Sequence, residues 1–365
     1  MSTPRGGRRA AARPSSRRGR TRARRSEQPL TDAPPPPRPP RERRWGGRTP
    51  RVLWLVVLLA GVVALGCAVA DIGPAWLDGA GGTAVSSAYT WALAARTGGR
   101  PLVFAGLAAL MGVVTVVTDL EVLSGGAAVL TCVVSGVLAV MMTVPAASYL
   151  LAVRETLIAC CIAAVGAFAT VGFEPNADRE RFEYLTLAVG FVLVLVLVFR
   201  LGAGLHGLGR RGLLVVVVGS LVLALTIAYA ELLRRYGIAS VVEPALDVVR
   251  WSRENLRAFP RPIVVLLGIP ALVWGIHMRA RRRQGWWVCA FGVAATLPVA
   301  QSLVNPQGSF VEAALQTVYG ILLGLVVGYL VIRTDLALTG SRGSRARAEE
   351  AAAAHRPEPS RFRSL

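Results

Sequence analysis

Several residue types and motifs on which protein chemistry depends are rare or missing in this sequence. It has no lysine, only three histidines and only five cysteines. Spacings typical of zinc sites, nucleophilic serines, phosphate-binding loops and dinucleotide sites are also missing. The five cysteines lie in apolar runs, where a thiol behaves as a small hydrophobic side chain. We therefore expect no disulfide framework, no metal, no cofactor and no catalytic residues that a motif would reveal.

Charge is also scarce over long stretches, and apolar residues fill them. Hydrophobic residues make up 53% of the chain, above the roughly 45–50% of ordinary soluble domains, and the mean hydropathy is +0.51. Apolar runs of about 20 residues are long enough to cross the hydrocarbon of a bilayer as helices. The alternating pattern of a transmembrane barrel is not seen. The sequence predicts an all-α fold, a polytopic integral membrane bundle.

Nine runs are clearly apolar and one more is ambiguous. Both tails are rich in arginine, which stays on the cytoplasmic side of a membrane, so the number of crossings must be even. The mildly apolar stretch 83–95 supplies a tenth crossing if it forms a short helix. We predict ten spans; the alternative is that 83–95 is a re-entrant or interfacial segment. The clear runs are 51–70, 101–118, 122–144, 156–173, 184–199, 213–230, 262–278, 286–304 and 311–332.

The turn at 279–283 sets the orientation of the bundle. It holds four arginines between two apolar runs, and Trp286 and Trp287 follow it. Such a block of charge cannot lie in hydrocarbon, and tryptophan prefers the headgroup level. With this turn at the inner face, both termini are cytoplasmic. Arginine in place of lysine, with abundant alanine, valine and glycine, is typical of GC-rich bacterial genomes, so we expect a bacterial plasma membrane.

Three regions flank or interrupt the bundle, which we predict to extend over 51–333. Residues 1–50 form a Pro- and Arg-rich cytoplasmic tail that we expect to be disordered and to touch anionic lipid or, alternatively, to dock a protein partner. Nucleic acid is not expected, because no folded binding module accompanies the charge. Residues 334–365 form a second, mostly disordered cytoplasmic tail. Residues 237–261 are predicted to form an extracytoplasmic amphipathic segment, either a lid packed on the bundle or a cap that binds a ligand or partner.

Polar and ionisable residues near the spans are the candidates for a substrate site. Asp119 and Glu121 occupy a tight outer turn, where two carboxylates can bind a cation or act as acid and base. Arg154 and Glu155 open a span; because adjacent residues of a helix point in different directions, we do not expect a simple pair. Gln301 lies near the outer end of its span, where its amide can join helices or contribute to a site.

Glycines of the last span form a stripe. Gly320, Gly324 and Gly328 recur at four-residue spacing and therefore share one face of a helix. Such a stripe predicts close helix packing, either within the bundle or between two copies in a homo-oligomer.

The sequence leaves three hypotheses of function open. Spans this apolar offer few groups to bind a polar solute, which favours a non-enzymatic, envelope-associated scaffold or assembly component. A transporter or permease for an apolar or lipid-like substrate also needs few charges. The third hypothesis is a membrane enzyme that transfers a glycosyl or lipid group, with Asp119 and Glu121 at its outer face.

Overall fold

The fold is all-α. A computed structural model describes residues 48–176, 178–203, 213–214, 216–226, 228, 239–280, 285–305, 309–339 and 361. These residues are almost entirely helical and contain no strand, which confirms the predicted fold class. The predicted N-terminal tail and most of the C-terminal tail lie outside the described residues.

Twelve helices follow one another in the described part of the chain. A π-helical turn at Phe199–Ala203 continues α6, and another at Val264–Gly268 leads into α9. The helices are α1 (Arg48–Val69), α2 (Leu77–Arg96), α3 (Pro101–Thr118), α4 (Glu121–Met141), α5 (Tyr149–Val171), α6 (Arg179–Val198), α7 (Val216–Thr226), α8 (Ala239–Leu256), α9 (Ile269–Arg279), α10 (Gly285–Ala290), α11 (Val293–Leu303) and α12 (Phe310–Thr339).

Seven of these helical segments are long and apolar enough to cross a membrane. They are α1 from Pro50 onward, α3, α4, α5, α6 with its π-helical turn, the combined segment Gly285–Leu303, and α12. Their outer faces expose large apolar side chains such as Leu53, Leu102 and Val117, a surface far larger than a soluble protein leaves in water. The chain is therefore a membrane-embedded helical bundle.

The other three predicted spans are also helical but less clearly membrane-spanning. α2 has 20 residues but is less apolar, and Val216–Thr226 and Val264–Arg279 are shorter apolar helices. Helices thus occupy all ten predicted segments, while the count of ten crossings stays a prediction.

α2 is the centre of the first half of the bundle. It packs against α1, α3, α4 and α5. A Cβ atom on Gly81 would lie 2.8 Å from Cγ of Leu65, so α1 and α2 approach each other closely. The Trp54 indole of α1 donates a hydrogen bond of 2.8 Å to the Ala88 carbonyl of α2. Because other helices rather than lipid cover α2, it tolerates the small and polar residues that lower its hydropathy.

The second half is built on an antiparallel helix hairpin, with α9 and its preceding π-helical turn on one side and α10–α11 on the other. A Cβ on Gly268 would lie 2.4 Å from the backbone nitrogen of Ala295, and one on Gly275 would lie 2.6 Å from that of Cys289. Backbone therefore meets backbone along the hairpin. α11 also packs against α4, α5 and α6 and joins the two halves.

The glycine stripe of α12 packs within the chain. A Cβ on Gly324 would lie 2.6 Å from Cβ of Ile269, and one on Gly320 would lie 3.0 Å from Cγ1 of Val264. Gly328 faces Pro270 at an ordinary contact distance. The sequence predicted that this face packs either within the bundle or between two copies. These contacts are of the first kind, within the bundle.

Candidate functional site

An elongated groove of about 410 Å³ lies between α2, α3, α4 and α6. Aliphatic side chains dominate its walls, among them Leu93 of α2, Leu107 of α3, Leu130 of α4 and Leu193 of α6. Sites for small molecules typically measure ~300–1,000 Å³ and are mostly apolar with a few polar groups. The groove has both properties.

The groove runs along the helix axes for about half the depth of a membrane. Its α2 wall extends from Ser86 to Thr97, which corresponds to ~16 Å along a helix. The hydrocarbon core of a bilayer is ~30 Å thick, so the groove matches one leaflet. One end lies at Thr97 and Gly99, where Arg100 follows as an exposed residue.

Hydroxyl groups are the polar features of the groove. The Thr131 hydroxyl donates to Oγ of Ser86 at 3.0 Å. Thr90 and Thr97 donate to carbonyls one turn earlier in α2, which leaves their oxygens as acceptors. No charged side chain lines the groove in the described part of the chain. Such walls suit an alkyl chain better than a polar solute.

The groove is open to the side. Phe104 and Leu107 of α3 and Leu130 of α4 line it, and each is about half exposed. α3 packs mainly on α2, much less on α4 and least on α6, so the opening lies on the side of α3 away from α2, toward α4 and α6. In a bilayer this opening faces lipid.

A largely buried polar cluster lies where α6 and α12 begin and α11 ends; we call it the Arg261 cluster, and this end of the bundle the Arg261 end. The Arg261 guanidinium donates to Oε1 atoms of Glu183 at 3.0 Å, Gln301 at 3.1 Å and Gln316 at 3.3 Å. The Gln301 amide donates onward to Oγ1 of Thr186 at 2.9 Å. These hydrogen bonds join α6, α11 and α12 to the segment that follows α8.

The Arg261 cluster is closed rather than open to a ligand. Every nitrogen of the guanidinium has an acceptor, and the cavity beside it holds only about 10 Å³, less than or similar to the space of one water. Burial lowers the pKa of Arg261, while the Glu183 carboxylate opposes that shift. The Gln316 amide also donates to the Phe259 carbonyl at 2.9 Å. These contacts hold the helices together and leave no space for a ligand.

Buried arginines at the opposite end, the Arg279 end, hold the non-helical segment 142–148 between α4 and α5. Arg279 donates to Oγ1 and the carbonyl of Thr143 at 2.7 and 3.2 Å and lies 3.5 Å from the centre of a Trp286 ring. Arg96 donates to the last carbonyl of α4 at 3.1 Å. The sequence placed Arg279 in an interfacial turn, whereas the structure buries it at the end of α9; the rest of that arginine block lies outside the described residues.

Glu155 lies buried at this same end. Its carboxylate accepts the Val144 N–H at 3.1 Å and forms ion pairs with Arg154 at 3.0 Å and with Arg361. Arg154 and Glu155 do form an ion pair, because the long, exposed Arg154 side chain folds back onto its neighbour, but they are not a simple pair, since Glu155 also binds Val144 and Arg361. α5 also begins at Tyr149, earlier than predicted, so Glu155 lies in its second turn rather than at a helix start.

Asp119 and Glu121 lie in the exposed turn between α3 and α4. Asp119 ends α3 with a left-handed φ of 50°, and Glu121 begins α4 and accepts a hydrogen bond from Asn176 at 3.3 Å. No group of three His, Cys, Asp or Glu able to hold a metal is found among the described residues. The turn lies at the opposite end of the bundle from Glu155, so the structure does not unite the predicted candidates.

The groove and the Arg261–Glu183 pair were both missed in the sequence. Ser86 and Thr90 of α2 and Thr97 at its C-cap recur on one face, which is the pattern that could have indicated a groove wall. Arg261 lies between two prolines where an apolar run begins, and an ionisable residue at such a border calls for a partner.

No protein-family model, curated protein or solved structure matches this chain. The groove and the polar clusters are therefore the features on which a function can rest.

Proposed function

We propose that this chain is a multi-pass plasma-membrane protein that binds a lipid-like molecule in the groove between α2, α3, α4 and α6, as a transporter or permease for such substrates. The observation that supports the proposal is the apolar groove of about 410 Å³ with its opening beside α3, toward α4 and α6. In the orientation that the arginines predict, the groove lies in the cytoplasmic leaflet.

The physical chemistry of a membrane determines what the groove can select. An alkyl chain that moves from the bilayer into the groove leaves one apolar medium for another, so it gains packing rather than hydrophobic free energy. Preference for one lipid over others then depends on the headgroup. Arg100 is exposed next to the groove end at Gly99, so we propose an anionic headgroup there.

The other two hypotheses have less support from the geometry. The enzyme hypothesis needs Asp119 and Glu121, which lie at the other end of the bundle from Gly99, where the groove ends. The scaffold hypothesis is favoured by the closed Arg261 cluster, which holds helices together without room for a ligand. It gives no role to the groove, and it predicts that filling the groove leaves function unchanged.

Photo-crosslinking tests the proposal. The purified chain is placed in liposomes that contain a phospholipid with a diazirine in its acyl chain, and crosslinked peptides are mapped by mass spectrometry. We expect crosslinks on the groove faces of α2, α3 and α4. Ala108→Trp puts a bulky ring into the groove and should lower that crosslinking at least several-fold.

The matched control is Leu110→Trp, on the same helix but outside the groove lining and exposed to lipid. It should leave the groove crosslinks unchanged. Arg100→Gln should weaken crosslinking of an anionic probe more than of a zwitterionic one. Equal crosslinking in wild type, Ala108→Trp and Leu110→Trp would overturn lipid binding in the groove and favour the scaffold.

A further inference from the structure

α8 is a surface helix with an apolar side that the described residues only partly cover. It connects α7 to the π-helical turn before α9. Near its C-terminal end Ser252 is 5% exposed and its hydroxyl donates to the Ala258 carbonyl at 2.7 Å. Closer to its N-terminal end, Val248 and Trp251 are 58% and 59% exposed.

Exposed Val248 belongs to the same side of α8 as buried Ser252. Val248 and Ser252 are four residues apart, so their side chains differ by only about 40° around the helix axis. One is nevertheless buried and the other exposed. Among the described residues, the bundle therefore covers the apolar side of α8 near Ser252 and leaves Val248, one turn earlier, uncovered. Trp251 is exposed because it points about 100° away from Ser252.

The opposite side of α8 is polar and electrically balanced. Three acidic and three basic residues lie on it or just after it, with Arg250 paired to Asp247 at 3.0 Å. Trp251 lies at the border between the polar and apolar sides. The exposed charged residues along the helix and just after it are Glu243, Asp247, Arg250, Arg253, Glu254 and Arg257.

Contacts at the Arg261 end hold the C-terminal end of α8 beside the first half of α12. The Tyr319 hydroxyl of α12 donates to the Leu256 carbonyl at 3.2 Å, and the Arg261 cluster fastens the chain four residues after Arg257. Tyrosine and tryptophan are enriched where hydrocarbon meets headgroups. α8 therefore ends beside α12, on which Leu322 and Val326 are exposed.

We propose that α8 is an interfacial helix whose flank at Val248 and Trp251 lies against the headgroup–acyl boundary of the bilayer at the Arg261 end. An amphipathic helix in this position buries its apolar side ~5–10 Å into the boundary. Because its charges balance, the contact does not require anionic lipid. This inference is independent of the groove.

Spin labels on the full chain test it. In a Cys67→Ala/Cys161→Ala background, which removes the cysteines that are not buried, single cysteines are placed at Val248, Trp251, Asp247 and Arg250. The protein is measured in phosphatidylcholine liposomes with oxygen, which partitions into lipid, and with a water-soluble nickel chelate. The labels at Val248 and Trp251 should show a several-fold higher oxygen-to-nickel accessibility ratio than those at Asp247 and Arg250.

Two results would overturn the proposal. If all four labels favour nickel, α8 projects into water. If the labels at Val248 and Trp251 are shielded from both reagents, protein covers them; spectral broadening that disappears on dilution with unlabelled chain then identifies a second copy. Val248→Cys is the milder substitution and keeps the test valid if Trp251→Cys fails to fold.

Discussion

Arg261 shows what a charged side chain requires when it is buried at the edge of a membrane span. Its guanidinium has three protein acceptors and its ion pair with Glu183 is largely shielded, with side chains 14% and 25% exposed. Desolvation makes such a pair a poor source of net stability, but removal of one member leaves the other charge buried without its partner. The pair therefore affects the free energy of unfolding most when only one of its two members is removed.

We predict that Arg261→Met lowers the free energy of unfolding by ~3 kcal/mol. The double variant Arg261→Met/Glu183→Leu should recover part of that loss, because no isolated charge remains. Arg250→Met, which breaks the exposed pair with Asp247, should cost less than ~1 kcal/mol. Denaturant unfolding of the purified protein in detergent measures all three. Equal costs for Arg261→Met and Arg250→Met would show that the cluster is not a fastening.

At the scale of elements, glycine decides how closely helices meet. The face of α12 that carries Gly324 touches Ile269, which is fully buried and β-branched. A side chain in such a place cannot turn aside, so even one added methyl group forces helices apart. The same face at Gly328 has room for a Cβ atom.

We predict that Gly324→Ala destabilises the bundle by ~1–3 kcal/mol, whereas Gly328→Ala has an effect below ~1 kcal/mol. Thermal unfolding provides the measurement, with the reactivity of the buried cysteines toward a thiol reagent as the signal. If both variants behave alike, α12 does not pack as the structure has it.

The helices were predictable from this sequence because they depend on local patterns of apolar residues. Each predicted apolar run coincides with a helix, and α2 is longer than its predicted core at 83–95 because Leu77 to Gly82 pack on α1 and α5 despite their low hydropathy. Contacts were not predictable. Arg261 meets Glu183 across 78 positions, and the groove needs four helices in place before it exists. Neither leaves a periodic signal in the chain.

At the scale of the whole molecule, the antiparallel order of the helices fixes which turns share a side. α3 has 18 residues, or ~27 Å of helix, and separates Arg100 from Asp119 and Glu121. These two turns must therefore face opposite sides if α3 crosses the membrane. The arginines favour a cytoplasmic position for Arg100.

We predict that a cysteine in place of Glu121 reacts with a membrane-impermeant maleimide in intact cells. A cysteine in place of Arg100 should react only after the membrane is permeabilised. Both are made in a Cys161→Ala background, because Cys161 is exposed on the bundle surface. The reverse pattern would invert the orientation, and labelling of both from one side would show that α3 does not cross.

The most direct test of the central claim is an electron cryomicroscopy map of the protein in lipid nanodiscs, with a bound antibody fragment to aid alignment. The proposed function predicts elongated density, one alkyl chain wide, between α2, α3, α4 and α6, with its end near Arg100. That density should disappear in Ala108→Trp and remain in Leu110→Trp. A groove that is empty, or closed by α3 against α4, in the wild-type protein would contradict the account.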